Sequence, residues 1–572
     1  MVSYGIMTSY RMADTHDDTV KKELQSYSPF LQQLLYTRGI KTQAAAQSFL
    51  NPSYVDDLHD PFLLHDMDVA VERILKAVTN NEQIVIYSDY DCDGIPGAVV
   101  LHDFFKAITY KNFKNHIPHR HYDGFGLNVS AVEKLATEGA ELIITIDCGT
   151  TDIESVARAN ELGVDVIITD HHQAKELLPE AVAIVNPQLG DTYPFKGLCG
   201  AGVIFKVVQA LIAKGDFNLT VGWEKWWLDM VAIATIADMV PLRDENRALA
   251  HYGLQVLRKS RRPGLQMLLR KQKADQRYLT EDDIGFTIGP RINAASRMDT
   301  PEDAFSMLAT TDEGEAGAAV EHLEKLNNER KGKVSMMTKE VHKRMKAMVE
   351  IPDVLVLGNP DWRPSLVGLT ANKLAEEYNC PAFVWGRDGN GKIKGSCRSN
   401  GASSVIAIME GVSDLLHEFG GHHMAGGFGV QEEHIHTLPQ AMNDVFKKLG
   451  NAADIDTQLV VDAELTLDDI TSKVIEEQKS LAPFGMDNPK PLYKFTNVKA
   501  REVAIFGKTK EHTKLQFDTK GYAREAIAFF KKPEDFTVVP EVGAELTLLA
   551  HLEQSYFMGR LQTRLRIVDI VE

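Results

Sequence analysis

QIVIYSDYDCDG (83–94) is the stretch on which the fold turns. Ile84, Val85, Ile86 and Tyr87 form an unbroken apolar run, which predicts a strand buried on both faces rather than a half-exposed one. The run ends in Asp89, Asp91 and Asp93, and Gly94 lets the chain turn so that alternate carboxylates can converge. Two later segments repeat the design. ELIITIDCG (141–149) ends in Asp147, and DVIITDHH (165–172) ends in Asp170, His171 and His172. The amphipathic stretches SAVEKLATEGA (130–140) and IESVARANELG (153–163) lie between the apolar runs or beside them. Strands alternating with helices imply βαβ units and an α/β fold with an open parallel sheet. Ligands of such sheets sit beyond the carboxyl ends of the strands, where these acids fall.

Asp238 closes a further apolar run, VAIATIAD (231–238). Carboxylates gathered in one crevice repel, at about 4 kcal/mol per pair 4 Å apart for an effective dielectric near 20. Bound cations turn that cost into affinity, and oxygen ligands with an imidazole suit Mg²⁺ or Mn²⁺ better than a thiolate zinc site. Each Asp taken singly also reads as a helix N-cap or turn residue. Three strand ends all carrying Asp, one of them with a His pair, point to a metal centre instead.

The 572 residues, 44% hydrophobic and 25% charged, have ordinary globular composition and length for several domains. Lys and Arg number 62 against 80 Asp and Glu, a net charge of −18, which taken alone disfavours a polyanionic partner. The average conceals basic stretches at 258–277 and 325–346, each readable as a solvated helix face or as a nucleic-acid groove. Cys92, Cys148, Cys199, Cys380 and Cys397 are scattered without a CxxC pair, as expected in a reducing compartment. No run reaches the ~18 apolar residues of a membrane span, and MVSYGIMTSYRMADTHDD shows no secretion signal. The expected location is the cytoplasm, with no membrane partner.

Outward from the sheet, residues from about 25 to 80 read as helical, as do about 302–350, which would connect two bodies. VLVLGN (354–359), LVGLTANKLAEEY (366–378) and PAFVWG (381–386) open a second α/β block. Beyond about 455, short alternating runs such as LQFDT, EAIAFF and RLRIVDIV predict a small antiparallel barrel or sandwich.

SDYDCDG (88–94), IDCGTTD (146–152), TDHH (169–172), VNPQ (185–188) and ATIADMVPL (234–242) together resemble the DHH phosphoesterase superfamily. HIPHRHYDGFGLN (116–128), GPRINAASRMDT (289–300), GSCRS (395–399), GGHHMAGGF (420–428), LAPFGMDNPKPLY (481–493) and KEHTKLQF (510–517) place the likeness in its single-strand-specific exonuclease branch, from about residue 28 onward. The resemblance implies an N-terminal helical segment (1–80), a DHH catalytic domain (81–310), a connecting helix (311–350), a DHH-associated substrate-binding domain (351–452) and an OB-like nucleic-acid-binding β-barrel (453–572). It implies Asp91, Asp93, Asp147, His171 and Asp238 as ligands of two divalent cations, Mn²⁺ before Mg²⁺, with Asp147 bridging. Asp89, Asp170 and His172 would lie behind those ligands or beside the scissile phosphate. Arg120, Asn293, Arg297, Ser396, Arg398 and His422 would hold the nucleic acid. In the barrel, Phe506, Lys508, Lys514, Phe517, Phe529, Phe530 and Tyr556 are candidate base-stacking and backbone-tracking positions, core packing being the alternative for each aromatic. The implied activity is 5′-to-3′ hydrolysis of single-stranded DNA to mononucleotides, in repair and recombination. A helicase and a single-strand-binding protein are the candidate partners, and a monomer is expected. A phosphodiesterase for short oligonucleotides or cyclic dinucleotides, and a non-catalytic replication scaffold, are the alternatives. Arg363, Ser365, Ser296 and Cys92 depart from the family's usual residues.

Overall fold

The computed structural model describes residues 9–348, 350–401, 403–450, 458–507, 509–519, 523–557 and 560–572, with the side chains at 555–557 and 560–561 left aside. Its first sheet has five strands in the order β2-β1-β3-β4-β5: β1 (Ile84–Ser88), β2 (Phe113–His116), β3 (Leu142–Ile146), β4 (Asp165–Thr169) and β5 (Ala183–Val185). Every pairing is parallel. Successive side chains along a strand face opposite ways, so both faces are buried. Ile84, Ile86, Ile144 and Ile167 join one core, and Val85, Tyr87, Ile143 and Val166 the other. Helices α1 (Gly94–Ala107), α2 (Gly200–Lys214) and α3 (Leu228–Ala237) cover the first face.

Further on, α4 (Gly289–Met298) leads to α5 (Glu313–Met345), a helix of 33 residues, about 50 Å long at 1.5 Å per residue. Asp312 caps α5, its carboxylate accepting from Glu315 N–H at 2.7 Å. Ala319, Val320 and Leu323 at its start enter the core beneath the parallel sheet, while Met337, Val341 and Met345 at its end enter the core of the second α/β body. That body holds strands β6 (Leu355–Gly358), β7 (Ala382–Arg387), β8 (Ile393–Arg398), β9 (Leu416–Gly421) and β10 (Ala425–Val430), in the order β9-β10-β8-β7-β6, with α6 (Pro364–Tyr378) against it.

The third body is a closed barrel. Strand β11 (Ala463–Glu464) leads into β12 (Leu492–Phe506), β13 (His512–Asp518), β14 (Ala523–Ala528), β15 (Glu545–Phe557) and β16 (Arg560–Val571), and pairing of β12 with β15 shuts the ring. The chain's first helices, read in sequence as one segment with residues up to 80, divide between two bodies. Val20, Leu24, Leu31, Leu34, Leu35 and Ala46 pack into the barrel core, whereas Met67, Ala70, Val71 and Ile74 pack into the core beneath the parallel sheet. A strand, Tyr10–Met12, pairs with Leu459–Val461 where no strand was anticipated. The basic stretch 258–277 spends much of its charge internally. Arg262 pairs with Asp229 at 2.9 Å and Asp103 at 2.8 Å, Lys271 with Glu321 at 2.5 Å and Arg277 with Asp275 at 2.6 Å. No helix among the described residues is long and apolar enough to cross a membrane.

Candidate active site

Strand register builds the site. Ser88 faces Ile146, Ile146 faces Thr169 and Thr169 faces Val185 across β1, β3, β4 and β5. The next residue on each of the first three strands is therefore Asp89, Asp147 or Asp170, lined up abreast at one edge. Their amides extend the ladder, donating to Ile146 O (3.1 Å), Thr169 O (2.9 Å) and Val185 O (3.1 Å). Strand order reverses between β1 and β3, so the acids sit at the topological switch point. Asp147 takes φ 63°, a left-handed conformation that costs energy for a non-glycine residue and turns its carboxylate off the strand direction.

The loop after β1 and the start of α2 complete the cluster. Asp93 accepts from Gly200 N–H at 2.6 Å and Ala201 N–H at 2.7 Å, so the positive end of α2 grips it. Residue 200 has to be glycine, since a Cβ there would lie 2.6 Å from the Asp147 Cβ. Asp91 accepts from Asp93 N–H at 2.8 Å. His171 Nε2 stands 3.2 Å from Asp147 Oδ1, 3.5 Å from Asp93 Oδ2 and 3.8 Å from Asp238 Oδ2. Asp170 is differently employed. Its Oδ1 accepts from the backbone of His171 (2.7 Å) and His172 (3.1 Å) and contacts His172 Nδ1 at 2.8 Å, and its Oδ2 accepts from Thr150 N–H at 3.0 Å. Asp170 thus orders the His pair and spends its oxygens on the protein.

The electrostatics divide these acids the same way. Burial alone would raise the Asp170 carboxyl, but the bonds from His172 and Thr150 hold it well below the usual range. Burial opposes charge on His172, and Asp170 outweighs it, raising the imidazole to about 9. Burial, then mutual repulsion, pushes Asp89 and Asp147 well above the carboxylate range and Asp238 up to about 9. Asp89 Oδ1 and Asp147 Oδ1 are buried and accept no hydrogen bond. Ligand atoms of Asp89, Asp91 and Asp147, of Asp93, His171 and Asp238, and of Asp147, His171 and His172 form groups whose members lie within 4.8 Å of one another. Unsatisfied, crowded oxygens beside an imidazole fit hard divalent cations. A divalent cation held here would have to displace protons from these carboxyls, so its affinity is expected to rise with pH toward the value of about 9 to which Asp238 is pushed. Titration calorimetry at pH 7 in buffers of different ionisation enthalpy is expected to register proton release; binding without release contradicts the assignment.

Arg120 and Arg297 lie within the electrostatic reach of Asp89 and Asp91. Arg120 lies 4.8 Å over the Tyr90 ring. Burial, then Arg120, Arg330 and Arg398, pushes Arg297 down to about 9, while Asp91 opposes the shift. Four arginines from the catalytic domain, α5 and β8 therefore share one field, which suits a polyanion. Ser396 lies beside Gly368 of α6, where an added Cβ would meet Ser396 Cβ at 3.3 Å and Arg398 Nη2 at 3.5 Å. Asn293, half-buried, accepts from Cys92 N–H through its Oδ1 at 3.1 Å and so holds the acidic loop in place. His422 is exposed on the turn between β9 and β10, and its N–H donates to Ala425 O at 2.8 Å. Arg330 was not singled out in sequence, although it falls within the basic stretch 325–346. Phe125, whose ring centroid is 5.5 Å from that of His172, had no signal beyond an aromatic between two glycines. On the barrel, Phe517 is core, whereas Phe530 is 80% exposed and Phe529 lies 4.3 Å beneath Arg566. Lys508 and the Tyr556 side chain fall outside the described residues.

A parallel sheet whose strand ends supply Asp89, Asp147 and Asp170-His171-His172, with Arg120 and Arg297 close by, marks the DHH class of phosphoesterases. The model of the DHH family N-terminal domain matches residues 83–235, that of the DHHA1 domain 351–448 and that of the RecJ OB domain 461–569. Among curated proteins, the single-stranded-DNA-specific exonuclease RecJ of Bacillus subtilis is 35% identical over 545 residues, 95% of this chain and 68% of that protein. RecJ of Salmonella typhimurium is 30% identical over 564 residues, 95% of this chain and 96% of the relative. This chain belongs to the RecJ family. Among solved structures, Thermus thermophilus RecJ in complex with Mn²⁺ superposes with a TM-score of 0.81 at 25% identity, over 99% of this chain and 79% of that one.

Proposed function

We propose that this protein is a metal-dependent exonuclease that degrades single-stranded DNA from the 5′ end and releases 5′-mononucleotides. The observation that carries the reading is the juxtaposition of the metal-fit acids with Arg120 and Arg297, the latter in turn within the field of Arg330 and Arg398. Two divalent cations, Mn²⁺ first and Mg²⁺ as the alternative, would be held by Asp91, Asp93, Asp147, His171 and Asp238. When bound they supply Lewis acidity at the phosphate and ionise water at neutral pH. The chain's own residues do the rest. Guanidiniums grip phosphate oxygens bidentately and orient the strand for in-line attack on phosphorus. Asp170 fixes His172 through Nδ1, which leaves Nε2 as the ring nitrogen able to hydrogen-bond to phosphate or leaving-group oxygen. α2 clamps Asp93 so that it need not reorganise as charge develops.

Arg398 is assigned to phosphate. Arg398→Ala is expected to lower kcat/KM on 5′-phosphorylated single strands by about tenfold to a hundredfold, the worth of one charge-assisted contact. Products from 5′-labelled, 3′-labelled and duplex oligonucleotides check strand preference and polarity together, and digestion that starts at the 3′ end contradicts the reading. A barrel after residue 461 disfavours the short-oligonucleotide and cyclic-dinucleotide alternative. The reading extends to a cytoplasmic monomer in DNA repair and recombination, supplied with single strands by a helicase and a single-strand-binding protein. Light scattering of the purified protein tests the monomer.

A further inference from the structure

Arg297 has an unusual problem. It must keep a fixed direction among three other guanidiniums that repel it, and no carboxylate is bonded to its side chain among the described residues. The contact that holds it crosses between bodies. Arg297 Nη1 donates to the carbonyl of Ser365 at 2.8 Å, and Ser365 Oγ returns a bond to the carbonyl of Arg297 at 2.8 Å. Ser365 is 6% exposed, so water competes poorly for either bond. Beside them, Arg363 Nη1 donates to Met298 O at 3.3 Å. These bonds join the end of α4 to the first turn of α6.

That turn has a second duty. Gly368 lies three residues after Ser365, on the same helix face, and its bare Cα lets Ser396 and Arg398 approach. One helical turn therefore sets Arg297 of the catalytic domain and borders Ser396 and Arg398 of the second body. Arg363 and Ser365 are also two of the positions at which this sequence departs from the usual family residues.

We propose that Ser365 is a positioning residue: its reciprocal pair with Arg297 fixes that guanidinium in the cleft and ties the placement of the second body to it. The proposal rests on the single-strand exonuclease reading. With the hydroxyl gone, the carbonyl of Ser365 still accepts from Arg297, but the return bond that fixes the two backbones against each other is lost. Arg297 then samples other directions, and its grip on phosphate weakens.

The experiment is a double-mutant cycle on the full-length protein with Mn²⁺ and 5′-phosphorylated single strands, using Ser365→Ala, Ser365→Gly, Arg297→Ala and the combinations. Each Ser365 variant is expected to lower kcat/KM about tenfold, the loss falling mainly in KM, with the thermal transition within a degree or two of wild type. In the Arg297→Ala background the same Ser365 changes are expected to do nothing further, because there is no guanidinium left to position. Losses that multiply across the cycle would overturn the role, as would a kcat loss that tracks a falling transition temperature. Those outcomes, with the wild type still digesting single strands, sink only the Ser365 assignment. A wild type that leaves single strands uncut sinks the exonuclease reading instead.

Discussion

Asp147→Ala is expected to abolish hydrolysis of single-stranded DNA, by about a thousandfold or more, while the protein still folds. Asp147 belongs to two of the three groups of close ligand atoms, and its Oδ1 is the buried oxygen nearest His171 Nε2, at 3.2 Å. If these groups hold cations as proposed, losing it removes ligation at the point where they overlap. A metal's electrostatic share of a phosphoryl-type transition state is worth several kcal/mol, and about 4 kcal/mol is a thousandfold at ~1.4 kcal/mol per tenfold. Folding is spared for a stated reason. The Asp147 carboxyl is an electrostatic burden in the folded protein, pushed well above its ordinary range by burial and then by Asp93, Asp91 and Asp89. Alanine at φ 63° adds some backbone strain, so Asp147→Asn serves as the companion variant. The measurement is single-turnover digestion of end-labelled strands with Mn²⁺, alongside circular dichroism. Near wild-type digestion by both variants would remove Asp147 from the chemistry.

The centre of this site was legible in sequence because it depends on local grammar plus one long-range fact. An apolar run buried on both faces needs no partner to be recognised, and an acid at its end is set at the sheet's edge wherever the strand goes. Parallel pairing then does the gathering: three strands ending at the same level bring Asp89, Asp147 and Asp170 abreast. Their differing duties were less visible. Asp170 and Asp147 look alike in sequence, and only the hydrogen bonds from Thr150, His171 and His172 show that Asp170 serves the protein. Asn293 reads in sequence only as a candidate phosphate contact, whereas the fold also gives its oxygen to the Cys92 amide from helix α4. Arg330 was hidden in a run of charges on α5, where sequence cannot say which basic residue turns inward. The early helices carry apolar stripes but no record of which core they fill. Those of residues 18–50 fill the barrel core, more than 400 residues away in sequence, because that core is incomplete without Leu34 and Leu35. Arg363 and Ser365 could be noticed only as departures, since their bonds exist across a contact that tertiary packing creates.

Metal should reverse the stability ranking of the protein and its Asp238→Asn variant. Without divalent cations, Asp238 adds to a crowd in which burial, then Asp93 and Asp91, raises its carboxyl to about 9. The sign follows: a carboxyl whose folded pKa lies above its unfolded value disfavours folding progressively as pH climbs from the unfolded value, near 4, toward 9. Asparagine keeps the shape and removes the liability. In EDTA at pH 8 to 9 the variant is therefore expected to unfold at the same temperature as the wild type or higher. With Mn²⁺ the order inverts. An ion at about 100 times its Kd stabilises the protein that binds it by about 2.7 kcal/mol, and the variant, which offers a neutral amide oxygen in place of a carboxylate, gains less. Scanning calorimetry of both proteins in EDTA and in Mn²⁺ reads the crossing directly, and activity lost in EDTA should return with the metal. Asp238 has a competing role as the residue that ends α3. If that were its whole purpose, asparagine would shift the transition equally in both buffers, and parallel rather than crossing curves would defeat the idea that these carboxylates are held together by a cation.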